Sequence, residues 1–403
     1  MTTVSDHASV DLLPVHLLPM PPGCPLAVAA AQVPNLQPGD VTRRFAAGWG
    51  LTAETAIAGC RNEIAERLSA QFDGSAAIMT AAATDLLGAA VLPPDIMLLE
   101  TGERPLQSWR PDKAIGWVAA DPAFSMQPAW IPAGLCFLGH ADDRAAGLLP
   151  ADSNGLAAGA TREEAALRGF LELVERDAVA IWWYNRLRRP AVDAAVFEDS
   201  LITSYEGWMA DQGRVLRLIN LTHDLGIPVI AAISHDRAGG HIVLGFGAGL
   251  NAAAAARHAL GELTQVICNI ALIGQRVAAL DEAGQGESDL APEARHLWYW
   301  WCTARIADHP HLDPVQGLAK PRAIAALDLT GCHDICRRQG LTLYAVDLTR
   351  DTIGVPVMRV IVPGLRPMAP RLAPGRLYDV PVHLGWLPRP LSPGDINPVP
   401  LPY

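Results

Sequence analysis

Gly159 to Arg176, GATREEAALRGFLELVER, is the stretch on which the fold turns. It reads as a turn and then a helix carrying Glu172, Glu175 and Arg176. The same pattern occurs earlier without a gap at Gly50 to Arg67, GLTAETAIAGCRNEIAER, where seven of the eighteen aligned positions are identical. A weaker third copy runs from Gly249 to Gln265, GLNAAAAARHALGELTQ, with Glu262 and Gln265 in the places of the two carboxylates. In all three copies thirteen positions separate the glycine from the first Glu.

Residues three apart on a helix lie about 60° apart and one turn along. Glu63 and Glu66 therefore share a face, as do Glu172 and Glu175. The second pair sits among Phe170, Leu171, Leu173 and Val174 on a helix that is apolar nearly all round, so it should be buried. Two buried carboxylates on one face repel and are costly to desolvate. A divalent ion neutralises them, and Mg²⁺ takes a few carboxylates together with phosphate oxygens. Arg67 and Arg176 can reach a phosphate or brace a carboxylate. The competing reading is a structural ion-pair network between packed repeats. Arg359 interrupts the apolar strand Val355–Val362 and needs an anion, either a phosphate or one of the glutamates.

Outward from these helices, a strand–turn–strand unit at 216–234, LRLINLTHDLGIPVIAAIS, recurs at 343–362, LYAVDLTRDTIGVPVMRVIV, with one residue inserted in the turn. Further strands are expected at Leu26–Val33 and His241–Gly247, the second repeat helix is expected to run to about Trp183 before Pro190 stops it, and 266–310 reads as helix. Repetition of a helix and a strand pair implies one α+β body, with an irregular segment 1–25, a body 26–390 and a Pro-rich tail 391–403. Gly247-x-Gly249 lacks a P-loop lysine. Cys332-His333-x-x-Cys336 lacks a matching pair for a metal site. His309 and His311 read as loop residues.

The chain has 403 residues, half of them apolar, with 31 basic and 42 acidic residues and a net charge of −11. That balance argues against bulk binding of nucleic acid or anionic membrane. Seven cysteines, odd in number and scattered, argue against a disulfide framework and favour a reducing cytoplasm. The N-terminus lacks a basic region and is broken by prolines, so it is neither a signal peptide nor a spanning helix.

The block 153–178, SNGLAAGATREEAALRGFLELVERDA, resembles the signature of YcaO-type proteins, as do AAGWGLTAETAIAGCRNEIAER, GFGAGLNAAAAARHALGELTQ and VDLTRDTIGVPVMRVIVPGL. The resemblance covers most of 26–402. It implies the YcaO fold, without a P-loop, and ATP bound with Mg²⁺ between the repeated helices. It assigns Glu63, Glu66, Glu172 and Glu175 to metal, and Glu164, Glu172, Arg176, Glu262 and Gln265 to the nucleotide; Arg67 and Arg359 join the nucleotide side as the phosphate candidates read above from the residues. Ala160 stands where the family often has Asn. The ending Pro398-Val-Pro400-Leu-Pro402-Tyr403 resembles that of azoline-forming members, whose tail is thought to reach the active site and aid proton transfer; a polyproline segment extends stiffly at little ordering cost. Here Tyr403 shifts the terminal carboxylate by one residue. The alternative is a disordered tail or a ligand for another protein's aromatic groove. The implied activity is conversion of Cys, Ser or Thr in a ribosomal precursor peptide to thiazolines or oxazolines. It implies a partner that binds the leader peptide (E1-like or ThiF-like), and a flavin-dependent dehydrogenase acting afterwards. A homodimer is left open. Thioamide or amidine formation on the same fold, and a non-catalytic scaffold, are the alternatives.

Overall fold

The computed structural model describes residues 13–34, 45–74, 76–86, 88–92, 110–140, 152–316, 324 and 327–402. In chain order the elements are β1 (Val15–Leu17), β2 (Ala27–Gln32), β3 (Phe45–Gly50) and α1 (Ala53–Ala70). Next come β4 (Met79–Ala82), β5 (Ala90–Val91), β6 (Ala114–Ala119), β7 (Ala129–Pro132) and the single turn α2 (Ala133–Cys136). The central part holds β8 (Leu156–Ala158), α3 (Arg162–Tyr184), α4 (Ser200–Asp211), β9 (Arg214–Asn220), β10 (Val229–Asp236), β11 (Val243–Ala248) and α5 (Ala252–Glu282). The last part holds α6 (Pro292–Thr303), α7 (Leu329–Arg338), β12 (Tyr344–Asp347), β13 (Val357–Ile361) and α8 (Arg376–His383).

Three antiparallel sheets of three strands, β1-β2-β3, β12-β13-β8 and β9-β10-β11, each carry one repeat helix. In each sheet the strand leading into that helix lies at an edge. Each helix packs on its own sheet and touches the leading strand of the next: α1 reaches β8, α3 reaches β11, and α5 reaches β3. The three units therefore close a ring. The strand pairs at 216–234 and 343–362 occupy equivalent places in two of them. The middle unit is discontinuous, because α3 ends at Tyr184 and β12 begins only at Tyr344, a gap about as long as a typical whole domain. A fourth sheet, β4-β6-β7-β5, flanks the ring.

The sequence dictates one local design at each helix start. Thr52, Thr161 and Asn251 are the N-caps, all extended, and their side chains accept from the backbone N–H three residues on. Such caps stabilise a helix by about 1 kcal/mol each. Two residues earlier, Gly50, Gly159 and Gly249 press on the helix. A Cβ there would lie 2.7, 2.6 and 2.7 Å from the amide nitrogens of Ala56, Ala165 and Ala255. The fixed glycine in the repeat is thus a close-approach requirement.

Three readings are refined. Val15–Leu17, within the segment expected to be irregular, forms β1 and pairs with β2. Helix α3 stops at Tyr184, well before Pro190: Asn185 Nδ2 donates to the Ile181 and Leu377 carbonyls (3.0 and 2.8 Å), and Arg186 turns left-handed at φ 48°. The stretch 266–310 is two helices, because Gly284 takes φ 70° and Pro292 starts α6. Cys332 and Cys336 are buried on α7, and His333 Nε2 lies 3.0 Å from the Phe124 carbonyl. Helix α5 is long and apolar enough to cross a membrane by length and composition alone. Its Ala255, Ala259, Leu260 and Leu263 are fully buried core residues seated with β10 and β11.

Candidate active site

The first carboxylate of each copy turns back to its own unit. Glu63 Oε2 accepts from Ala47 N–H (2.8 Å), Glu172 Oε2 from Gly155 N–H (2.9 Å), and Glu262 Oε2 from Phe246 N–H (3.2 Å). The second carboxylate crosses to the next unit. Glu66 Oε1 accepts from Ala158 N–H at 2.7 Å, and Glu175 Oε2 from Ala248 N–H at 2.9 Å. Gln265, half-buried one turn beyond Glu262 on α5, takes this second place in the third copy. The ring architecture explains the spacing: three residues along a helix separate the contact with its own sheet from the contact with the next.

Arginines neutralise only part of this charge. Arg67 pairs with Glu63 and Arg176 pairs with Glu172 (2.6 Å), each one turn along its own helix. Glu175 is buried, whereas Glu66 and Glu172 are half-buried. Burial pushes Glu66 up to about 8 against the pull of the Ala158 N–H, with Glu63 and Glu172 adding repulsion. Burial also raises Glu172, opposed by Arg176. Glu175 is raised well above the carboxylate range by burial and by the charge of Glu262. The five glutamates are thus linked by mutual repulsion along the seams of the ring, Glu66 with Glu63 and Glu172, and Glu175 with Glu172 and Glu262.

This donor set fits Mg²⁺. It is all carboxylate oxygen, and its like charges penalise ionisation when no cation is present. Among the described residues no three of His, Cys, Asp and Glu stand close enough to cage an ion unaided. Mg²⁺ needs no such cage, since it keeps waters and completes its shell with substrate phosphates.

Two of the nucleotide candidates make their hydrogen bonds outside this cluster. Glu164 is in the first turn of α3, with Oε2 accepting from Ala160 N–H (3.0 Å) and Oε1 from Arg168. Arg359, 2% exposed on β13, donates to the Asp152 carbonyl (2.6 Å) and faces its carboxylate at 3.4 Å. The anion beside Arg359 is therefore Asp152, which neither sequence reading of Arg359 named. Glu172 lies within its field as well.

The tail lies on the far end of α3. Asn397 N–H donates to the Tyr184 carbonyl (2.8 Å), and Trp183 Nε1 donates to the Val399 carbonyl (2.7 Å). Pro398 and Pro400 are exposed, Leu401 and Pro402 are buried, and His296 Nε2 lies 3.2 Å from the Pro400 carbonyl. Tyr403 lies outside the described residues. Trp183 follows Glu175 by two turns, or about 12 Å along the axis.

Sequence reasoning missed the anchor of this C-terminal region. Asp177, 0% exposed, accepts from Arg366 N–H (2.8 Å) and from Arg376 Nε and Nη2 (3.0 and 2.7 Å), and lies 3.0 Å from His223 Nε2. Arg376 also binds Asp224. Burial alone would raise the Asp177 carboxyl, but Arg376 and His223 hold it well below the usual range. The signal was a third acidic residue on an otherwise apolar helix face. His311 was read as a loop residue but is 1% exposed, packed against Trp182 and Trp183.

Acidic seams between repeated α/β units define a class of protein suited to hold a divalent cation together with phosphate oxygens. Residues 47–366 match the family model described as YcaO cyclodehydratase, ATP- and Mg²⁺-binding, and the chain belongs to this family. A heterocyclase solved in complex with substrate and cofactor is 31% identical, with a TM-score of 0.83 over 96% of this chain and 55% of that one. The heterocyclase TruD is 32% identical, with a TM-score of 0.72 over 88% of this chain and 51% of that one. The chain thus spans about half the length of these two. The YcaO protein of Methanopyrus kandleri, solved with AMPPCP and Mg²⁺, shares the fold at 22% identity and a TM-score of 0.59, over 87% of this chain and 85% of that one.

Proposed function

We propose that this protein is an ATP- and Mg²⁺-dependent peptide cyclodehydratase acting in the cytoplasm on a ribosomal precursor peptide. A Cys, Ser or Thr side chain attacks the carbonyl carbon of the preceding amide. The amide oxygen takes the γ-phosphoryl group of ATP, releasing ADP. That oxygen then leaves as inorganic phosphate while the side-chain and amide protons are lost, and a thiazoline or oxazoline remains. Mg²⁺ supplies charge neutralisation for the phosphates.

One observation supports this reading most. Glu66 and Glu175 are raised carboxylates at two seams of the ring, and each hydrogen-bonds a backbone N–H of the next unit. A scaffold's ion-pair network accounts for Glu63–Arg67 and Glu172–Arg176. A neutral amide oxygen could accept the Ala158 and Ala248 N–H bonds without the repulsion, so the charge of Glu66 and Glu175 itself points to a cation. In this reading Glu66 and Glu175, with Glu63 and Glu172, hold Mg²⁺. Arg67, Arg176 and Arg359, with Glu164, Glu262 and Gln265, position the nucleotide. Residues 26–390 form the catalytic body, and Pro398, Pro400, Pro402 and Tyr403 carry the tail toward the reacting amide. A separate leader-binding protein presents the peptide, and a flavin-dependent dehydrogenase follows.

The test is mass spectrometry of a Cys-containing precursor peptide incubated with the protein, its leader-binding partner, ATP and Mg²⁺. Loss of about 18 Da per ring, with one ATP consumed, is the expected result. Unchanged peptide mass in the complete mixture would favour the scaffold, and a gain of sulfur would favour thioamide formation.

A further inference from the structure

Asp152 is an unusual partner for Arg359. The arginine is 2% exposed on its side chain, whereas the Asp152 side chain is 40% exposed. Around this one carboxylate stand Arg359 Nη2 at 3.4 Å, Asn154 N–H at 3.0 Å and the Asn154 amide group. Arg371 lies in the field of the same carboxylate. Its guanidinium has no hydrogen-bond partner among the described residues. Arg176 contributes to that field from one turn past Glu172. Two polar atoms in the group, Arg359 Nε and Asn154 Oδ1, are buried without a partner.

Such a set of donors is oversized for a carboxylate. Two or three guanidinium groups with an amide and a backbone N–H match the several oxygens of a phosphoryl group. Burial would raise the Asp152 carboxyl, but Arg359, the Asn154 N–H and amide, and Arg176 together hold it below its usual range.

We infer that Arg359, Arg371 and Asn154 form a phosphoryl-binding pocket in which Asp152 is the resting counter-ion, displaced when phosphate enters. This rests on the proposed ATP-dependent reaction and adds to it two residues, Arg371 as a positioning residue and Asp152 as an internal competitor. The competition has a definite sign. A group that fills the pocket in the empty protein lowers the apparent affinity for any phosphate. Removing its charge should therefore tighten binding, the reverse of what losing a metal ligand or a structural tie would do. It also has a use: phosphate released after ring formation meets a competitor already tethered beside the pocket, which favours departure of product.

The experiment is calorimetric titration of the full chain with inorganic phosphate, and separately with ATP and Mg²⁺. Asp152→Asn is expected to lower the Kd for inorganic phosphate about tenfold, and Arg371→Gln to raise it by a similar factor. Unchanged or weaker phosphate binding by Asp152→Asn would overturn the proposal. Should that variant not fold, Arg371→Gln decides alone, and wild-type phosphate affinity in it has the same consequence. Phosphate binding does not require ring formation. Failure to make azolines with the opposite-sign pattern intact removes the proposed function only; ring formation with a flat pattern removes this inference only.

Discussion

Glu66 on α1 accepts the N–H of Ala158 on β8 at 2.7 Å, and so ties the first unit of the ring to the second through a carboxylate. Glu175 does the same between the second and third units at 2.9 Å. These bonds make the seams responsive to whatever neutralises the two side chains.

Stability without ligand should fall as pH rises. Glu66 is pushed up to about 8, so the folded state holds a proton that the unfolded chain gives up near pH 4.3. The contribution is full below the unfolded value and is lost as pH climbs through the folded one. Glu172 and Glu175 shift the same way. Thermal melts should show a lower Tm at about pH 8.5 than at about pH 6, with ATP and Mg²⁺ restoring most at the higher pH. A ligand-free profile that rises across this range would contradict the assignment.

Glu175→Gln keeps the shape and removes the charge. Ligand-free stability should rise, since the repulsion from Glu262 and Glu172 is gone, while ATP turnover with peptide drops about 100-fold or more. Wild-type turnover in this variant would exclude Glu175 from the metal site.

Trp183→Phe deletes the donor to the Val399 carbonyl. Truncation of Pro400–Tyr403 removes the tail's end. Both should lower kcat for ring formation, the truncation more, with little change in equilibrium ATP affinity. Single-turnover rates equal to wild type after truncation would take the tail out of the reaction.

Asp177→Asn should cost about 1–3 kcal/mol in urea unfolding, because Arg376 loses the more buried of its two carboxylates and keeps only Asp224. The Asp177 carboxyl is held below its usual range, so its contribution is present above the unfolded carboxyl value and is lost as pH falls through the folded one. The mutational cost should accordingly shrink in acid. A cost that stays constant would point to packing alone.

The repeat made much of this legible. Gly50, Gly159 and Gly249 stand at one distance from three glutamates, and that spacing is the distance from a strand–helix contact to the carboxylate below it. The strand-pair repeat likewise marked two sheets of the ring. What stayed hidden needed tertiary proximity. Asp152 meets Arg359 across 207 positions, and Asp177 meets Arg376 across 199. No local pattern announces such pairs. The β1 strand escaped because three residues among prolines carry too little periodicity to be read.

The discontinuous middle unit has a consequence for the protein's synthesis. When α3 leaves the ribosome its glutamates are present, yet two of the three strands that seat them, β12 and β13, are not. At roughly 5–20 residues per second the wait for residues 344–361 is on the order of tens of seconds. A nascent chain that stalls or is cut short before that point therefore cannot complete the middle unit, and the two seams that this unit forms with its neighbours wait on residues 344–361.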